Sequence, residues 1–246
     1  MEINWESQVL SSVSKVIPKL SCLEIDIDKL HEVAAELSKD SFSINYEGNT
    51  NTVPKEYIRK TMLINTLNFV FTDFLTSVKY KIENYSDTDA MVYQIDKALD
   101  QGIPLTQGRF MRDMNLKEFK RLFTGNIEMP MADEKVKILN NVGDILVTKY
   151  GGDWINFIDD GPKKLYDNGK GLVERLVRDF KRFDDHSIFE NEKVYFLKLA
   201  QLAFWGIHRE LSKRYFYIED MENMTAFADY IIPVALESFG IVKYSS

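Results

Sequence analysis

Two charged residues sit where the chain is otherwise apolar, and both are of types that do chemistry. From Val194 to Trp205 (VYFLKLAQLAFW) Lys198 is the one charged side chain, with Gln201 as the other strongly polar group. From Ala226 to Leu236 (AFADYIIPVAL) the one charged side chain is Asp229. Read as helix, Lys198 shares a face with Val194, Leu202 and Trp205, and Asp229 lies beside Thr225, Ala226, Ile232 and Pro233. A helix that is apolar all round is normally buried, and an isolated buried ion is costly, so both residues are expected to be buried and paired with each other. A carboxylate held by a cation stays ionised and can serve as nucleophile, as general base or as stabiliser of a developing positive charge. A buried Lys–Asp bridge with no chemical task looks the same in sequence. Pro233 adds an irregularity: it cannot donate to the carbonyl of Asp229, so a helix here is kinked at Asp229 or begins afresh at Pro233, with Asp229 in the junction.

Helical periodicity governs the elements that must position these residues. Ile27, Leu30, Ala34 and Leu37 mark one apolar stripe, and Val136, Leu139, Val142 and Leu146 mark another. Asn115 reads as the N-cap of a helix over 116–123 that Gly125 stops, and further helices are expected around 54–72, 89–100, 170–183, 194–211 and 223–239. The strand signal is the alternation of Val78, Tyr80 and Ile82 with Lys79, Lys81 and Glu83, which fits a short exposed hairpin or edge strand. Loops fall at Glu47 to Thr52, Gly102-Ile103-Pro104, Gly151-Gly152 and Asp159 to Pro162. The expected architecture is mostly α: a single domain over 1–246, with an N-terminal helical part over 1–60, a core carrying the site over 61–246, and a small β element.

Composition narrows the function classes. The 246 residues are 45% hydrophobic and 28% charged, an ordinary globular balance, and long enough to bury a substantial core. A formal net charge of -7 is the wrong sign for a partner such as a long nucleic acid. Cys22, the single cysteine, cannot form an internal disulfide, and residues 1–10 carry two acids and no basic lead into an apolar run. With no stretch long enough to span a bilayer, the expected setting is the cytoplasm, away from membranes.

Several motif-like features carry little. Asp167-Asn168-Gly169-Lys170-Gly171 resembles a phosphate loop but lacks its spacing and Lys-Ser/Thr ending, and reads instead as a solvated helix N-terminus. His31, His186 and His208 form no metal-ligand spacing, and Asp184-Asp185-His186 reads as a polar turn.

A resemblance then adds to the two charges. Phe227-Ala228-Asp229-Tyr230, Pro233, Phe239-Gly240 and Lys243-Tyr244-Ser245 resemble the signature of the queuosine salvage protein family, whose members hydrolyse queuosine 5′-phosphate. Upstream, Leu67-Asn68-Phe69 with Phe71, Ala98-Leu99-Asp100 with Gly102-Ile103-Pro104, Met129-Pro130, Ile138-Leu139-Asn140 and Gly151-Gly152 fall in the family's order. So does Phe196 with Lys198, Ala200 and Gln201. The resemblance implies a helical fold similar to the helix-hairpin-helix DNA glycosylases, and an N-glycosidase that releases queuine and ribose 5-phosphate from a small nucleotide without a metal or other cofactor.

Carried over residue by residue, it makes Asp229 the nucleophile or general base and Lys198 its orienting partner. Phe69, Tyr195, Phe227 and Tyr230 become stacking surfaces for the base and Asn68 an edge hydrogen bonder, although each of these aromatics also reads as ordinary core packing. The chain departs from the family at Ile231, where an arginine is usual, at Val234 (glutamine), at Lys135 (arginine) and at Thr72 (tryptophan), and family members tend to continue past the Lys-Tyr-Ser motif. Two other readings stay open: a binder of queuine or nucleotides with lost or altered turnover, and a DNA-repair-type glycosylase. A monomer is favoured.

Overall fold

The computed structural model describes residues 7–39 and 51–245. The chain runs α1 (Gln8–Val16), β1 (Leu23–Ile25), α2 (Ile27–Leu37), α3 (Pro54–Leu67), β2 (Lys81–Ile82), β3 (Tyr85–Ser86), α4 (Asp87–Asp100), α5 (Gly108–Arg112) and α6 (Leu116–Leu122). It continues with α7 (Ala132–Lys149), α8 (Trp154–Asp159), α9 (Leu172–Asp179), β4 (His186–Phe189), β5 (Glu192–Tyr195), α10 (Lys198–Leu211), α11 (Ile231–Ser238) and β6 (Val242–Tyr244). The mostly α class is as expected, and no helix among the described residues is long and apolar enough to cross a membrane. The expected loop at 47–52 falls mainly outside the described residues.

The main core is built on α7. Its predicted stripe, Val136, Leu139, Val142 and Leu146, is buried as a unit among residues of α3, α4, α6, α8, α9 and α10. Gly143 lets α5 come this close: a Cβ there would lie 2.2 Å from the Arg112 amide nitrogen and 2.5 Å from the Gly108 carbonyl oxygen. Asn115 caps α6 as predicted, its Oδ1 accepting from the Glu118 amide at 3.0 Å.

The α2 stripe behaves differently. Ile27, Leu30 and Leu37 are exposed, and Val33 is the residue that α2 buries, against Ile241, Val242, Leu23 and Leu236 in a small separate apolar cluster. Among the described residues this helix meets β1, β6 and α11 through a narrow contact, and most of its apolar face is exposed.

The β content exceeds the single predicted element. Tyr80, expected on an exposed strand, is fully buried and its hydroxyl donates to the Phe123 carbonyl at 3.0 Å, just before the β2–β3 hairpin. The β4–β5 hairpin turns at Glu190-Asn191, both at positive φ (45° and 67°), the left-handed pair a tight hairpin requires. It takes Val194 and Tyr195 out of the predicted 194–211 helix, which starts instead at Lys198. The third pair, β1 with β6, joins the start of the chain to its Lys243-Tyr244 motif, with Glu24 opposite Lys243.

Candidate active site

A cleft of about 710 Å³ is lined by the turn after α3 (Asn68 to Thr72), Lys79, the start of α4 (Asp87, Thr88), Arg182 and Asp184 to His186, the start of α10 (Lys198, Leu199) and Tyr230. The first residues of two fourteen-residue helices, α4 and α10, therefore line it, together with the residue just ahead of α11. Helix N-termini carry partial positive charge, so this convergence favours an anionic group in the cleft.

Lys198 and Asp229 are brought together as the sequence anticipates: Lys198 Nζ donates to Asp229 Oδ2. Their burial is not as anticipated, for the two side chains are 30% and 31% exposed. The helix expected over 223–239 begins only at Ile231, so residues ahead of it do not wrap Asp229 in their apolar side chains. Pro233 falls in the first turn of α11, where a missing N–H deprives no carbonyl. Asp229 Oδ1 accepts from the Ile231 amide at 3.1 Å. The Lys198 bond, then this amide, hold the Asp229 carboxyl below its ordinary value of 3.8, and it is ionised at neutral pH. Lys198 opens α10, at the positive end of the helix, where a cation is disfavoured until a carboxylate offsets it. Gln201 ties the two segments again, donating to Thr225 Oγ1 at 2.9 Å and accepting from the Thr225 amide at 2.9 Å.

Of the residues expected to bind the base, Asn68, Phe69 and Tyr230 line the cleft. Asn68 Oδ1 accepts from Thr88 Oγ1 at 3.0 Å, and Tyr230 is 79% exposed. Tyr195 and Phe227 are not among the lining residues: Tyr195 lies under Lys193, 4.5 Å from its ammonium, and Phe227 packs edge-on to Trp205 at 5.9 Å between ring centres. Asp229 does not line the cleft directly either, and reaches it through Lys198 and its neighbour Tyr230.

Asp184 and His186, read from sequence as a polar turn, also line the cleft, with His186 Nδ1 3.2 Å from Asp184 Oδ1. Arg182, expected within a helix over 170–183, sits instead in a 3-10 turn, Lys181–Phe183, beyond the end of α9 at Asp179, and no sequence signal set it apart. Lys135 beneath the cleft left a signal: it stands four residues before Leu139 and seven before Val142, on the stripe that α7 buries. The phosphate-loop look-alike is closed by the protein itself, since Glu174 Oε2 accepts from the amides of Gly171 (2.9 Å) and Asp167 (2.8 Å). A second cleft, about 770 Å³, lies at Gly102 to Pro104 and Gly151 to Asp153, where Arg59 binds Asp153 through two hydrogen bonds of 2.9 and 2.6 Å. It contains neither member of the Lys198–Asp229 pair.

A family model described as queuosine salvage protein matches residues 46–246. A mouse (Mus musculus) protein named queuosine 5′-phosphate N-glycosylase/hydrolase is 30% identical over 192 residues, which are 74% of this chain and 55% of the relative. Proteins of the same name from Bos taurus (27% identical, 86% of this chain, 63% of the relative) and Sphaerobacter thermophilus (24%, 96% and 74%) are also similar. The chain thus spans little more than half the length of the mouse relative and under two thirds of the bovine one.

Proposed function

The chain belongs to the queuosine salvage protein family, and on that premise we propose that it is an N-glycosyl hydrolase acting on queuosine 5′-phosphate or a closely related 7-deazaguanine nucleotide or nucleoside. The products are queuine and ribose 5-phosphate, or ribose when the substrate lacks the phosphate. The observation that carries the reading is the Lys198–Asp229 pair at the edge of a cleft lined by an aromatic ring, an amide side chain and two helix N-termini.

Breaking the bond between C1′ and the base sends its electron pair to the base nitrogen and leaves positive charge on the ribose. A 7-deazaguanine has no N7 to protonate, so stabilising the sugar matters more than activating the leaving group. An ionised carboxylate beside C1′ meets that need directly. Its lowered pKa makes Asp229 a weak proton acceptor and a persistent negative charge, which favours the electrostatic or nucleophilic role over that of general base. Lys198 fixes one oxygen and the Ile231 amide the other, so the carboxylate is oriented before substrate arrives. Water supplies hydroxide to C1′, and its proton is the one the departing base takes up. Phe69 and Tyr230 offer the base faces to stack on, and Asn68 offers an edge contact.

Purified protein incubated with queuosine 5′-phosphate is expected to release queuine, detected by mass spectrometry, and Asp229→Asn to release it about a thousandfold more slowly while still binding queuine. A binder without turnover would hold queuine in both forms and release none. Absence of release under conditions where the Sphaerobacter thermophilus relative is active would overturn the proposal.

A further inference from the structure

Lys135 is fully buried, yet its ammonium meets backbone carbonyls rather than a carboxylate. It donates to Leu67 O at 3.4 Å, to Phe69 O, and to Val70 O at 3.3 Å. Arg182 takes the remaining carbonyls of the same stretch, its Nε donating to Thr66 O at 2.7 Å and its Nη2 to Asn68 O at 3.4 Å. Five consecutive carbonyls, Thr66 to Val70, are thereby held by two cations. The same cations press on one ring: Lys135 Nζ lies 3.7 Å and Arg182 Cζ 4.6 Å from the centre of Phe69.

Part of this is helix capping. Thr66 and Leu67 end α3, where carbonyls lack helical partners and the dipole favours cations. Capping alone does not call for the three bonds beyond the helix end. Val70 is at φ 44°, a left-handed conformation that a β-branched residue adopts only when its surroundings force it. Burial drives Lys135 down to about 7 and Arg182 down to about 10, so holding both cations here is costly in itself. Strain and buried charge are thus both concentrated on the turn that turns Asn68 and Phe69 into the cleft.

We infer that Lys135 and Arg182 are positioning residues, which lock the strained Thr66–Val70 turn so that Asn68 and Phe69 meet the nucleobase in a fixed geometry. The inference rests on the reading that the base binds in this cleft. The locked turn should act on binding of the base, because it touches the stacking ring and the edge contact but not the Lys198–Asp229 pair.

The test compares Lys135→Met, Lys135→Arg and Val70→Gly with the wild type, using KM and kcat for queuosine 5′-phosphate and the Kd of queuine by calorimetry. Lys135→Met should raise KM and Kd together by about tenfold with kcat changed less than about threefold, the loss expected when buried hydrogen bonds are removed from a binding element. Lys135→Arg, which keeps the charge and adds donors, should restore most of that affinity. Val70→Gly relieves the strained φ and loosens the turn, so its KM and Kd should rise about threefold while its Tm stays level or rises. It also serves if Lys135→Met does not fold. Unchanged KM and Kd in folded Lys135→Met, or in Val70→Gly, overturn the inference. Should the wild type bind queuine without turnover, the hydrolase reading fails, and the queuine Kd series still decides this one.

Discussion

Lys198 and Lys135 both stand among the apolar residues of a helix, and the fold treats them in opposite ways. Lys198 looks the more deeply buried in sequence, yet it opens α10 at the edge of a cleft, 30% exposed and bound to Asp229. Lys135, next to Glu134 and two residues before Lys137, is fully buried and, among the described residues, bound through backbone carbonyls and aromatic rings. The pair at the cleft keeps a charge ready for chemistry. The lysine beneath it uses a charge to hold backbone. Activity and stability should therefore separate between them.

The largest effect expected is on turnover. Asp229→Asn should lower kcat by about a thousandfold, the scale of removing a charge that is matched to the transition state, in a queuine-release assay. Lys198→Met should cost less, about a hundredfold, and should also reshape the pH profile. Lys198 holds the Asp229 carboxyl below 3.8, so wild-type activity should persist down to that pH, and without the lysine the acid limb should move up. An acid limb that stays in place in Lys198→Met would break the assignment of Lys198 as the orienting cation.

Lys135 should show the reverse profile. Lys135→Met leaves buried carbonyls without donors, which costs about 1–3 kcal/mol, and a chain of this size loses about 2–4 °C in Tm per kcal/mol. A fall of several degrees by calorimetry is expected.

The sign of the pH dependence sharpens the contrast. With a folded value near 7 against an ordinary 10.5, Lys135 binds fewer protons in the folded chain than in the unfolded one between those limits. Stability conferred by this group therefore rises with pH from about 7 towards 10 and is lowest below 7. Denaturation midpoints at pH 7 and 9 should show that rise in the wild type, and Lys135→Met should lack it. The smallest effect is the Tm of Lys198→Met, which should move by about 4 °C at most because a partly exposed pair contributes roughly 0–1 kcal/mol.

The stripe on α7 was legible because its helix is buried along its length, so period and burial agree at Val136, Leu139, Val142 and Leu146. The stripe on α2 follows the same period, but Ile27, Leu30 and Leu37 are exposed, because period reports a face and not what covers it. The end of the β4–β5 hairpin was hidden because Val194 and Tyr195 open an apolar run, where the end of a strand and the start of a helix cannot be told apart by composition.

The sequence alone determined the helical class, the pairing of Lys198 with Asp229, and that no regular helix runs through Asp229 into Pro233, because lone charges in apolar runs and a missing N–H are local facts. Tertiary structure decided how deep each charge lies, that Tyr195 and Phe227 fall outside the cleft lining while Asn68, Phe69 and Tyr230 fall on it, and that Lys135 and Arg182 grip one turn from 65 or more positions away in sequence. Depth and convergence depend on which distant segments pack together, and long-range packing leaves no period in the chain.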